Sequence, residues 1–110
     1  MTDKLYVNAA EDLEVAAGAD ENLGPEIQAD PFDNIQGILD YSGSGTPRLD
    51  AIWKDATGAT VATETGLGTV SSPLITFQAV VRAPKVQFQI TETGSSNTVT
   101  VDAASIVGQR

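Results

Sequence analysis

Apolar and polar residues alternate one for one along much of this chain, the two-residue period of strands with one face in a core and the other in water. In the clearest run, Lys85-Val86-Gln87-Phe88-Gln89-Ile90-Thr91, Val86, Phe88 and Ile90 share one side while Gln87, Gln89 and Thr91 share the other. A turn-rich segment, Thr93-Gly94-Ser95-Ser96-Asn97, leads to residues 98–103, where Val99, Val101 and Ala103 are expected to face inward, so the two runs read as an antiparallel hairpin. Upstream, Ile75, Phe77, Ala79 and Val81 share a parity up to Ala83-Pro84, where proline cannot donate to a ladder. Leu49, Ala51 and Trp53 define another strand, and Asp55-Ala56-Thr57-Gly58 supplies the turn into residues 60–64, a second hairpin. Residues 34–41, with Ile35, Ile38 and Leu39, form a strand ended by Ser42-Gly43-Ser44-Gly45-Thr46-Pro47. Leu13-Glu14-Val15 and Leu5-Tyr6-Val7 are two further short strands. No stretch sustains the i, i+3, i+4, i+7 spacing of an amphipathic helix.

Strands at this spacing, with turns between them, predict an all-β fold of about eight antiparallel strands, a sandwich or barrel. The 110 residues suit one domain, with residues 1–33 as an acidic arm plus the first strands and residues 34–110 as the main sandwich. An open sandwich leaves edge strands, and Thr- and Gln-rich edges invite pairing with another copy. Trp53 shares parity with Leu49 and Ala51 and is expected in the core rather than exposed as a sugar-stacking ring; Tyr41 closes its strand and is expected to staple the sandwich edge.

Composition narrows the chemistry. The chain has no Cys and no His, which excludes thiolate catalysis, disulfides, His-assisted nucleophiles and the commonest zinc sites. Gly66-Leu67-Gly68 lacks the third glycine and the helix of a dinucleotide fingerprint, and Gly43-Ser44-Gly45 lacks a histidine base, so both read as turns. Carboxylates are plentiful but cluster in one loop-rich region without an aromatic platform, which does not suit a glycosidase pair. The expectation is therefore a non-enzymatic protein without a cofactor. No apolar segment is long enough for a membrane span or a secretory signal, so a cytoplasmic start is expected.

Fifteen acids against six bases give a net charge of −9, which argues against a nucleic-acid partner. The imbalance lies at one end: residues 1–47 carry ten acids and only Lys4 as a base, whereas five acids and five bases cancel in residues 48–110. Within the acidic part, Asp20, Glu21, Glu26, Asp30 and Asp33 read as a solvated surface suited to a salt-rich medium, or alternatively as ligands for a hard cation, although their spacing is not that of an EF-hand loop.

Five segments also resemble a module of structural proteins of tailed viruses: Leu49-Asp50-Ala51-Ile52-Trp53, Asp55-Ala56-Thr57-Gly58, Val81-Arg82-Ala83-Pro84, Val86-Gln87-Phe88-Gln89-Ile90-Thr91 and Thr98-Val99-Thr100-Val101. They lie within a block from Asn34 to Ala103 that opens with the 34–41 strand and its Gly/Ser turn, and the resemblance extends over this block, about two-thirds of the chain. Where such modules often carry an aromatic residue after Ala-Pro, this chain has Lys85. The resemblance implies a jelly-roll sandwich serving as a virion accessory such as a capsid decoration, turret or tail component. Combined with the acidity, it implies a virus of a salt-loving archaeon. On this reading the chain assembles in the host cytoplasm into a homo-oligomer, a trimer first and a pentamer second. It docks on the major capsid protein or another virion protein, with Leu5, Tyr6, Val7, Arg82 and Lys85 as candidate assembly contacts. The alternative is a receptor- or carbohydrate-binding module of a spike, turret or tail. For a salt-adapted acidic surface, the melting temperature should rise between about 0.1 M and about 3 M KCl as repulsion is screened. A flat response in scanning calorimetry would remove the brine habitat.

Overall fold

The computed structural model describes the backbone of residues 4–109 and the side chains of residues 11–109. Its elements are ten strands: β1 (Lys4–Val15), β2 (Asp20–Asn22), β3 (Ile27–Gln28), β4 (Asn34–Ser42), β5 (Pro47–Lys54), β6 (Thr60–Thr65), β7 (Thr69–Ser71), β8 (Leu74–Val80), β9 (Lys85–Glu92) and β10 (Val99–Gln109). There is no helix among the described residues. One sheet runs β1-β10-β4-β8-β7; the other runs β2-β9-β5-β6, with β3 also on β9. All pairings are antiparallel and they nest: β1 with β10, β2 and β3 with β9, β4 with β8, and β5 with β6. Four nested pairs wrapped so that successive pairs enter opposite sheets constitute a jelly roll. The expected eight strands become ten because Gly24-Pro25 interrupts one strand into β2 and β3, and because β7 adds a short edge to β8.

Alternation places the core as expected. Ile35, Leu39 and Tyr41 of β4, Leu49, Ala51 and Trp53 of β5, Ile75, Phe77 and Ala79 of β8, and Val86, Phe88 and Ile90 of β9 are all buried. Each large aliphatic side chain removed from water contributes about 1.5–3 kcal/mol. Phe77 of one sheet meets Phe88 of the other with ring centroids 5.0 Å apart and planes tilted by 49°. Trp53 is fully buried, and its Nε1–H donates to Oε1 of Glu64 at 2.7 Å, which satisfies the indole at the β6 edge.

Three expectations need correction. The runs 85–91 and 98–103 do not form a hairpin: β9 pairs with β5, β10 pairs with β1 and β4, and residues 93–98 cross from one sheet to the other. Strand alternation fixes which side chains face in but not which strand lies alongside. Ala103 faces solvent, because the β10–β4 register shifts between Val101 and Ala103; the extra residue reverses the parity, and Ala104 and Ile106 are buried instead. The segments around Leu5 and Leu13 belong to one twelve-residue strand, β1, whose register shifts between Asn8 and Ala10.

Gly37, in the middle of β4, lies beneath the Phe77 ring. A Cβ there would collide with that ring, 2.7 Å from Cζ, and would come within 2.8 Å of the Ser105 carbonyl oxygen on the adjacent strand. Gly37→Ala should therefore destabilise the fold by about 1–3 kcal/mol through overpacking. Chemical denaturation should show a lower midpoint with an unchanged slope; an unchanged midpoint would mean that the Phe77 ring moves aside freely.

Candidate assembly surfaces

The structure has two loop-bearing ends and two outer sheet faces. At one end, Glu92 closes β9 with only 1% of its surface exposed. Its Oε1 accepts from the Gly18 N–H at 3.0 Å, and its Oε2 accepts from the N–H groups of Thr46 at 3.0 Å and Gly94 at 2.9 Å. These donors belong to three separate connections, so one carboxylate ties together the β1–β2, β4–β5 and β9–β10 loops. The N–H of Thr46, then of Gly18 and Gly94, holds the carboxyl below its ordinary value of 4.5, against the opposing effect of burial.

The opposite end gathers the backbone of the sequence-predicted contacts. Leu5, Tyr6 and Val7 pair in register with Gly108, Val107 and Ile106 on β10; their side chains lie outside the described residues. The Gln109 carbonyl accepts from Asp33 N–H at 2.8 Å, and the Asp33 carbonyl accepts from Val81 N–H at 3.1 Å, which brings the 81–84 connection to the same end. Arg82 Nε lies 2.9 Å from Glu64 Oε1, with the arginine side chain 55% exposed. Lys85 Nζ lies 3.8 Å from Glu26, which Lys54 Nζ approaches at 2.9 Å. Both predicted cations thus have acidic neighbours within the chain while part of each side chain still reaches solvent.

The outer face of the β9–β5 sheet is polar and internally paired. Arg48 grips Asp50 with two bonds, Nε to Oδ1 at 2.9 Å and Nη2 to Oδ2 at 2.8 Å, and Asp50 also receives the Gly66 N–H at 3.1 Å. The side-chain bond to Asp50 raises the Arg48 pKa above its already high ordinary value. Asp50 thereby anchors the connection that leaves β6. Of the five clustered acids, Asp20 and Glu21 lie on β2, Glu26 precedes β3, and Asp30 and Asp33 follow it. Among the described residues no three acidic side chains converge as a metal site.

The outer face of the other sheet differs in kind. Asn34, Gln36 and Ile38 of β4, Thr76, Gln78 and Val80 of β8, and Ser105, Val107 and Gln109 of β10 point outward by alternation, and none is charged. Ile38 is 48% exposed and Val80 67%. Over Gly37 the face dips into a shallow depression of about 440 Å³, rimmed by Gln36, Ile38, Thr76, Ser105, Val107 and Gln109. Gln36 Nε2 donates to Gln109 Oε1 across the β4–β10 ladder. Sequence reasoning missed this surface, although a signal was present: the outward parity of these three strands carries charge only at Asp40 and Asp102, at one end.

No family model and no curated protein matches the chain. Solved structures do share its fold. The VP2 subviral particle of infectious bursal disease virus superposes with a TM-score of 0.68 at 16% identity, over 98% of this chain and 32% of VP2. The Gx strain of the same virus gives a TM-score of 0.64 at 17% identity, over 100% of this chain and 32% of the other. The SPBc2 prophage-derived protein YomS gives 0.57 at 15% identity, over 100% of this chain and 96% of its own. The chain therefore spans about a third of the length of the infectious bursal disease virus chains and nearly all of the prophage-derived one.

The Glu92 clamp has a definite pH signature. A carboxyl held below its ordinary value contributes stability above about pH 4.5, which is lost as the pH falls through the depressed value. Glu92→Gln should lower stability at pH 7, because a neutral amide keeps one acceptor oxygen for three donors, and should flatten the stability loss between pH 5 and about pH 3. Denaturation midpoints at several pH values check both effects; an unchanged slope would place the acid sensitivity on other carboxylates.

Proposed function

We propose that this chain is a non-enzymatic structural component of a virion, a capsid decoration or stabilising accessory protein that acts through the shape of its jelly roll. The observation that carries the proposal is the extent of the likeness: the whole chain, rather than a fragment of it, follows the jelly roll of a protein that builds a subviral particle. The same fold also accounts for nearly the full length of a prophage-derived protein, which shows that it exists as a separate chain. The viral resemblance of the block from Asn34 to Ala103 points the same way.

On this reading the chain resides in the virion, assembles in the host cytoplasm, associates with its own copies and docks on the major capsid protein or another virion protein. The docking end is the one that gathers the β1 backbone at Leu5, Tyr6 and Val7 with Arg82 and Lys85. The acidic surface suits a salt-loving host. A carbohydrate-binding role has no comparable support, because the ring that would stack on a sugar, Trp53, is closed inside the core.

Mass spectrometry of purified particles should find the chain at a fixed copy number relative to the major shell protein. Arg82→Ala combined with Lys85→Ala should lower that copy number severalfold while the purified variant keeps its β-sheet circular dichroism. Absence of the wild-type chain from particles would overturn the virion role, whereas full incorporation of the variant would remove only these two side chains from the contact.

A further inference from the structure

We infer that the uncharged outer face of β4, β8 and β10 is the surface on which a second copy of this chain packs, face against face. The inference goes beyond the virion reading and does not rest on it, because it concerns the isolated chain.

Charge supplies the first reason. Two copies each carrying −9 repel wherever carboxylates meet, and that cost falls only where the contacting surfaces hold none. The other sheet presents Asp20, Arg48, Asp50, Lys54 and Lys85 outward, with Arg48 paired to Asp50 and both lysines to Glu26. Away from Asp40 and Asp102 at one end, the β4–β8–β10 face instead offers amides, hydroxyls and three aliphatic side chains, Ile38, Val80 and Val107. A basic partner would be drawn to the acidic surfaces and find nothing to pair with here. A second copy meets amides able to donate and accept across the contact in either direction.

Shape and area supply the second. Ile38 stands beside the depression over Gly37, so in a two-fold contact the side chain of each copy can enter the hollow of the other. The three strands, spaced about 4.8 Å apart and each about seven residues long, have a flat footprint of roughly 330 Å² per copy, or about 700 Å² in total before side-chain relief is counted, which is the size of a small, reversible contact. A contact with the same face on both sides closes as a dimer, unlike the trimer or pentamer expected from sequence.

The test is the mass of the purified chain in solution, measured by light scattering at concentrations rising to about 1 mM, because a contact this small belongs to the weak, transient class. Wild type should have twice its 11.4 kDa chain mass. Ile38→Glu sets two carboxylates opposite each other and should raise the dissociation constant at least tenfold, leaving monomer with unchanged circular dichroism. Val61→Glu, at an exposed valine on β6 of the other sheet, should leave the dimer intact. If Ile38→Glu fails to fold, Gln78→Glu on the same face serves instead. A monomeric wild type, a dimer that survives both face substitutions, or one dissociated by Val61→Glu would overturn the inference. So would a monomer that binds viral shells through Ile38, because the face would then belong to another protein.

Discussion

Phe77 and Phe88 meet in the middle of the molecule, each projecting from a different sheet, and their contact makes two curved ladders share one core. Every strand that contributes to this core commits one of its two parities: Ile75 and Ala79 flank Phe77 on β8, and Val86 and Ile90 flank Phe88 on β9. Only the opposite parity and the loops remain for any other task. The absence of a side chain at Gly37 belongs to the same constraint, because the Phe77 ring occupies the space a Cβ would need. The hollow in the outer face lies over the same position, between the outward side chains of its neighbours.

Electrostatics then divides the exterior. The excess of acid is strongest in residues 1–47, yet the folded chain does not spread it evenly. Several carboxylates are absorbed by the fold: Asp50 by Arg48 and the β6–β7 connection, Glu64 by Trp53 and Arg82, and Glu26 by two lysines. Glu92 is the extreme case, a nearly inaccessible anion whose partners are backbone N–H groups rather than cations. A carboxylate can accept several such bonds at once, which makes it an effective tie for loops that lack regular pairing. With charge absorbed or directed elsewhere, the part of one sheet face built by Asn34 to Ile38, Thr76 to Val80 and Ser105 to Gln109 is left uncharged in a strongly acidic protein.

The order of residues along the chain was enough to settle the class of fold and most of the core. A strand with one wet and one dry face must alternate, so Leu49, Ala51 and Trp53, or Val86, Phe88 and Ile90, could be assigned to the interior without knowing their neighbours. The Asp55-to-Gly58 turn was equally legible: Asp55 Oδ1 accepts from the N–H groups of Thr57 and Ala59, and Gly58 takes a positive φ of 94°. Tertiary structure alone decided which strands pair, because alternation is blind to partners; residues 93–98 could join a hairpin or cross between sheets, and the closure of two sheets over one core selected the crossing. It likewise decided the parity of Ala103, where the partner strand imposes a bulge, and the gathering of Gly18, Thr46 and Gly94 around Glu92 from distant parts of the chain. The neutral face belongs to both levels: each strand carried its share of uncharged outward residues, but they became one surface only when β10, β4 and β8 were set side by side.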